Sequence, residues 1–158
     1  ISGIESLVDY NYKVLFAKYD KLNVYCNFAY TYSYYYESKV NGITGNIVEF
    51  TPKFNVKTGL KYEYKKMMLK FQYSYLSSQF TDASNAVESD ITGIIGEIPE
   101  YDILDLSFGM NFKLFSLYYG INNLTNNFYY TRRATGYPGP GIIPSPNRNY
   151  YFTIEFNL

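Results

Sequence analysis

A chain of 158 residues with 14 basic and 14 acidic side chains carries no net charge, which argues against holding nucleic acid through bulk positive charge. It contains no His and one Cys, Cys26, so the commonest general base and transition-metal ligand is missing and no internal disulfide is possible. Aromatic side chains (21%) outnumber charged ones (18%), with 21 Tyr and 12 Phe; these residues favour strands, and Tyr suits a surface apolar at one end and wet at the other.

Hydrophobic alternation of period 2 predicts seven strands in chain order, at 3–13, 22–35, 55–64, 67–80, 101–112, 115–123 and 149–158. Most are about 10 residues or longer, where soluble proteins favour about 5–6 and a tilted strand needs about 9–11 to cross a bilayer. From the second strand on, one face holds apolar side chains such as Leu22, Val24, Phe28, Leu60, Phe71, Leu106, Phe108, Leu117 and Ile154. The other face holds Asn23, Asn27, Lys57, Lys61, Glu63, Lys70, Gln72, Asp105, Asn111, Asn122 and Glu155. Cys26 falls on the apolar face and reads as a small hydrophobe.

A soluble sheet with one buried face would show the same alternation. Strand length and connection length separate the two cases. Connections near Val14–Lys21, at Lys65–Lys66 and near Lys113–Leu114 are short, and those near 36–54, 81–100 and 124–148 are long. Transmembrane barrels alternate in this way, with short turns on one side of the membrane and long loops on the other. The expected fold is therefore all-β, a transmembrane antiparallel β-barrel segment. Single-chain bacterial barrels have even strand numbers, and open edges do not occur in hydrocarbon, so seven strands are expected to be part of a larger barrel. No apolar run reaches the ~18 residues of a membrane helix. The chain begins inside a strand pattern, and we expect it to be a piece of a longer protein.

Two loops hold the chemistry. Residues 81–100 contain Asp82, Glu88, Asp90, Glu97 and Glu100 with no Lys or Arg; this is a solvated loop, a site for a hard cation, or a partner for a basic loop, although its spacing matches no calcium motif. The only arginines, Arg132, Arg133 and Arg148, lie in or beside the last long loop. A planar guanidinium binds carboxylate and phosphate bidentately, so these three, with Tyr137 between them, are the candidate binding residues for an anionic ligand. Pairing with the acidic loop or with the barrel wall is the structural alternative. No catalytic constellation, cofactor motif or metal motif is found, and no enzyme is expected.

The same loop carries "GYPGPGIIPSP", with four of the six prolines. Proline fixes φ and lacks a donor, so this stretch is expected to stay out of any ladder. The run "GINNLTNNFYYTRRATGYPGPGIIPSPNRNYYFTIEFNL" resembles the C-terminal end of TonB-dependent outer-membrane receptors, in particular the ferric dicitrate receptor-like group. "FTPKFNVKTGLKYEY", "FQYSYLSSQFTDASNAV" and "GEIPEYDILDLSFGMNF" resemble preceding strands and loops of that group. The resemblance implies a 22-stranded barrel of which residues 1–158 are the C-terminal part, about its last seven strands, with the plug domain and N-terminal barrel strands elsewhere. It implies a bacterial outer-membrane receptor and transporter for a ferric chelate, such as ferric citrate or another siderophore. The implied partners are that small anionic ligand, the TonB complex through an N-terminal region, outer-membrane lipid and lipopolysaccharide, and the barrel-assembly machinery. A non-transport outer-membrane barrel, structural or adhesive, and a soluble or fibrous β protein are the rival readings.

Overall fold

The computed structural model describes residues 1–13, 18–136 and 139–156. It contains eleven strands among them: β1 (Ser2–Lys13), β2 (Asp20–Tyr32), β3 (Phe54–Tyr64), β4 (Met67–Leu76), β5 (Gln79–Phe80), β6 (Glu97–Ile98), β7 (Tyr101–Asn111), β8 (Phe115–Asn122), β9 (Tyr130–Ala134), β10 (Gly141–Pro144) and β11 (Asn149–Phe156). Seven of them form one antiparallel sheet in the order β1-β2-β3-β4-β7-β8-β11. These are the seven strands that the alternation predicts. Each pairs with its neighbour in sequence along the main sheet, so the sheet is a meander.

The register turns the alternation into two continuous faces. Tyr10, Val24, Leu60, Phe71, Leu106, Ile121 and Tyr150 stand opposite one another in a single row across all seven strands. The next row toward the short turns is Tyr12, Leu22, Tyr62, Leu69, Phe108, Tyr119 and Phe152. Charge enters the outer rows of these strands at two places among the described residues. Asp20 faces Tyr64 at the short-turn end, and Asp102 faces Tyr75 at the long-loop end. Between them the face is wholly uncharged. Nine residues of β7 and its turn, Leu104–Phe112, span about 30 Å of strand, or about 23 Å of membrane at a tilt of about 40°. That matches the apolar band of an outer-membrane barrel. Aromatic rings gather at both margins, Phe112 with Phe115 at 4.7 Å and Tyr30 with Phe54 at 5.3 Å, as an interfacial girdle requires.

The inner face is polar, and three glycines on it are filled from the neighbouring strand. The Tyr25 ring lies over Gly59, the Tyr118 ring over Gly109 and the Tyr151 ring over Gly120. Each tyrosine stands directly opposite its glycine. A methyl group on Gly59 would sit 2.5 Å from the Tyr25 ring carbons. Lying flat lets Tyr25 donate its hydroxyl hydrogen to Gln72 Oε1 at 2.8 Å, two strands away. Tyr151 likewise crosses Gly120 to reach Ser107 Oγ at 3.1 Å. These glycines serve close approach rather than a turn.

Two strands end earlier than the alternation suggests. β2 stops at Tyr32, short of residue 35, and β4 stops at Leu76, short of residue 80. Ser77 closes the β3–β4 ladder by donating its backbone N–H to the Phe54 carbonyl at 3.0 Å and accepting the Phe54 N–H on Oγ at 2.9 Å. Gln79–Phe80 then leave the sheet to pair with Glu97–Ile98. The predicted last strand is described to Phe156; Asn157 and Leu158 lie outside the described residues.

Candidate functional site

The meander places the β2–β3, β4–β7 and β8–β11 connections at one end of the sheet and the short turns at the other. The three long loops, 33–53, 77–100 and 123–148, therefore share one end, and specific polar contacts tie them together.

Asn85 joins the first two. Its backbone is left-handed, φ 57°, a conformation that asparagine tolerates. Its side-chain amide then accepts the Ile47 N–H at 2.7 Å and donates to the Ile47 carbonyl at 2.8 Å, as a neighbouring strand would. Asn46 donates to the Ala83 carbonyl at 2.9 Å, and the Phe50 N–H to the Phe80 carbonyl at 2.8 Å. Within the first loop the Tyr35 hydroxyl donates to Glu49 Oε2 at 2.6 Å. That hydrogen bond, with desolvation and the carboxylate charge behind it, raises the Tyr35 pKa above the usual phenol value.

Arg133 joins the second and third loops. Its guanidinium donates to the Gly93 carbonyl at 2.9 Å, to the Glu97 carbonyl at 2.9 Å and to the Tyr130 hydroxyl oxygen at 3.1 Å. Tyr130 in turn donates to the Glu97 carbonyl at 3.1 Å, and the guanidinium carbon lies 5.4 Å from the Tyr130 ring centroid. The basic and acidic loops thus meet, but through backbone carbonyls. Among the described residues no arginine forms an ion pair with a carboxylate, and the ion pair present is Lys61–Glu63 at 2.8 Å on the inner face. The Arg133 Nε is buried and has no partner.

The other candidates are placed differently. Arg132 is exposed on β9 and shares with Arg133 a concavity of about 310 Å³, floored by Ala134, Thr135 and Ile143. Arg148 is exposed, lies outside that concavity, and donates its backbone N–H to Asn126 Oδ1 at 3.0 Å. Tyr137 lies outside the described residues. The structure therefore brings Arg132 and Arg133 to one concavity, which Arg148 does not line.

The proline-rich stretch corrects one expectation. It does enter a ladder: Gly141 pairs with Ala134, Ile142 with Arg133 and Pro144 with Tyr130, with a register shift between Ile142 and Pro144. The ribbon of β9 and β10 has only two strands, so Pro144 sits beyond an irregularity on an edge, where its missing donor is tolerated. Gly141 has φ 121° and passes so close to Gly93 that a methyl group on Gly93 would meet the Gly141 Cα at 3.1 Å.

In the acidic loop Asp82 and Asp90 serve local turns. Asp90 accepts the Thr92 hydroxyl at 2.5 Å and the Ile95 N–H at 3.1 Å. The Thr92 bond, with the backbone donors, holds its pKa below the usual aspartate value against some desolvation. Asp82 accepts the Ser84 N–H at 2.9 Å. Among the described residues no three Asp, Glu or Cys side chains gather as metal ligands would. Sequence reasoning missed Asn85, Asn46 and Tyr130. The run Asp82-Ala83-Ser84-Asn85 signals a turn, but nothing in it names Ile47 as the partner.

An antiparallel meander of membrane-spanning length, with an uncharged outer face and loops gathered at one end, defines an outer-membrane β-barrel segment. Residues 1–124 match the family described as TonB dependent receptor-like, beta-barrel, and the chain belongs to that family. It is an outer-membrane family of receptors. Solved structures of the same fold include the ferric citrate transporter FecA in its unliganded form, with a TM-score of 0.77 and 24% identity over 85% of this chain and 21% of that one. The siderophore receptor PiuA from Acinetobacter baumannii gives 0.71 and 18% over 95% of this chain and 21% of that one. The ferric yersiniabactin uptake receptor FyuA from Yersinia pestis gives 0.69 and 14% over 98% and 23%. The chain spans about a fifth of the length of these structures.

Proposed function

We propose that residues 1–158 form the C-terminal part of the barrel of a TonB-dependent receptor. The whole protein takes up a ferric chelate, ferric citrate or another siderophore, across the outer membrane, with a plug domain and earlier strands supplied by the rest of the chain. The observation that carries this reading is the joining of the three long loops into one body at one end of the sheet, with arginine at its surface. A receptor needs a defined surface on rigid elements to hold a small ligand, and the family supplies the class.

In this reading Arg132 meets the anionic ligand from the concavity and Arg148 reaches it from outside, and Tyr137 is assigned to the same ligand. Arg133 orients the surface through its carbonyl contacts and lines the same concavity. The remaining partners are the TonB complex at an N-terminal region, outer-membrane lipid and lipopolysaccharide, and the barrel-assembly machinery. The family is one of receptors, and no enzymatic role is assigned to the protein in this reading.

The test uses the full-length receptor. Cells expressing it accumulate iron from ferric citrate or a siderophore, and uptake stops when the inner-membrane energy complex is removed. The double substitution Arg132→Ala with Arg148→Ala leaves the barrel assembled and weakens binding of the chelate. Unchanged binding by an assembled double variant overturns the arginine assignment. No energy-dependent uptake of any chelate overturns the transport reading.

A further inference from the structure

Two like-charge pairs stand on the inner face near the short turns. Lys13 of β1 lies directly opposite Lys21 of β2, and Lys61 of β3 directly opposite Lys70 of β4. The β2–β3 register sets Lys21 against Glu63 and Asn23 against Lys61. The four lysines therefore fall in two successive rows of the same polar wall that carries Gly109 and Tyr118. Like charges directly opposite one another on a sheet are destabilising. A sheet that accepts this twice in adjacent rows breaks a local rule in the way that functional positions do.

The wall itself does not neutralise these charges. Glu63 is engaged by Lys61 at 2.8 Å. In the next inner row toward the long loops, Asp9 accepts the Asn23 side-chain N–H at 2.7 Å, and Asp105 accepts the Asn123 backbone N–H at 2.9 Å. Among the described residues Lys13, Lys21 and Lys70 form no ion pair. A concavity of about 310 Å³ opens beside them at the short-turn end, lined by Lys21, Lys61 and Lys66 together with Asn111 and Tyr118. Lys21 and Lys66 are exposed. The Lys65 ammonium lies 5.0 Å from the centroid of the Tyr64 ring, which belongs to the outer rows.

Three lysines around one concavity, with Lys13 and Lys70 directly behind two of them, raise the local positive potential beyond what one anionic group would balance. An ammonium offers three donors and takes carboxylate as a point charge. A small anion with several carboxylates can meet more than one lysine here, whereas a monocarboxylate meets one. We propose that this concavity is a second anion site, on the inner wall at the short-turn end, and that it takes a small polycarboxylate between Lys21, Lys61 and Lys66. Short turns of outer-membrane barrels face the periplasm, so the site lies on the exit side of the lumen. Its role rests on the transport reading: it is a late wall contact for an anion of the class assigned to Arg132 at the other end. Binding itself does not depend on that reading.

The test is NMR of the full-length receptor in detergent, with its lysines labelled by reductive ¹³C-methylation, which keeps their charge. The background carries Arg132→Ala and Arg148→Ala, so the outer candidates do not contribute. Iron-free citrate is the probe, with acetate and chloride at matched ionic strength as controls. Single Lys→Arg substitutions assign the resonances. The Lys21, Lys61 and Lys66 resonances shift saturably with citrate and do not saturate with acetate or chloride, and Lys39 in the first long loop does not respond. Lys21→Gln with Lys66→Gln weakens citrate binding, read at Lys61, about tenfold, the equivalent of one charge-assisted contact. Lys66→Gln alone serves if the double variant fails to assemble, because its side chain is exposed. Equal responses to citrate and to matched chloride would mean screening only and overturn the proposal. Absence of any shift overturns it too, and would mean that another part of the protein covers this wall. Loss of chelate uptake by the wild type would sink the transport reading while these shifts remained.

Discussion

The ring of Tyr151 on β11 occupies the space that a side chain on Gly120 of β8 would need, and its hydroxyl hydrogen-bonds with Ser107 on β7, 3.1 Å away. One tyrosine thus joins three strands across the inner face. Gly120→Val pushes the ring off its neighbour and breaks the reach to Ser107. The expected cost is about 1–3 kcal/mol, the range for overpacking a filled site. Tyr151→Phe keeps the ring and loses only the hydroxyl contact, about 0.5–1.5 kcal/mol. Urea unfolding of the full-length barrel in detergent measures both, and a Gly120→Val barrel as stable as wild type would contradict the packing argument.

The outer face predicts a depth profile. Leu106 lies in the seven-strand row near the middle of the uncharged band, and Asp102 lies at its margin. Leu106→Arg should cost about 2–4 kcal/mol, the value for a cation near the bilayer midplane, and Asp102→Arg about 0–1. Refolding into lipid vesicles across a denaturant series reads the difference. Equal costs would mean that this face does not lie in lipid.

Arg133 reaches two carbonyls of the neighbouring loop with one planar group. Arg133→Lys keeps the charge but cannot span both acceptors. Hydrogen exchange near Gly93 and Glu97 should rise in the Lys variant nearly as much as in Arg133→Ala, with exchange in β3, β4 and β7 unchanged. Full protection in the Lys variant would show that charge alone holds the loop.

Asn85 tests the other joint. Asn85→Asp preserves shape and the turn but removes the donor to the Ile47 carbonyl and places a negative charge beside it. Protease cleavage in 33–53 and 77–100 should rise together in this variant. A rise in one loop alone would show that the two are independent.

The acidic loop should respond to pH with a definite sign. Asp90 is favoured as the carboxylate in the fold, chiefly by the Thr92 hydroxyl. Its contribution to loop order is therefore complete above the ordinary aspartate pKa of about 3.9, and is lost as pH falls through its own lower value. Thr92→Val should move that transition upward toward the ordinary value. Carboxyl chemical shifts followed through an acid titration report it directly; a transition that does not move would place the cause elsewhere.

What was legible in the sequence is the part set by a repeating physical requirement. Alternation assigned Leu22, Leu60, Phe71 and Leu106 to one face because every second side chain meets the same solvent, and the register places them together. Connection lengths separated the two ends for the same reason. The loops follow no period. Nothing near Arg133 announces that it will meet the carbonyl of Gly93 rather than a carboxylate, because a carbonyl belongs to every residue. Pro144 in a ladder was hidden in the same way: a residue that weakens a central strand is harmless on a two-stranded edge, and only the tertiary placement says which it is.

The contacts of Asn85 and Arg133 bear on how this end of the molecule can change. Each loop is shaped partly by atoms of the next, so a segment exchanged singly between two receptors arrives without the groups that hold its form. Recombination that moves 33–53, 77–100 and 123–148 as one cassette carries its own scaffold. On the proposed reading of Arg132 as a ligand contact, drift in specificity should come through exposed positions of this kind, which can vary without disturbing the joints.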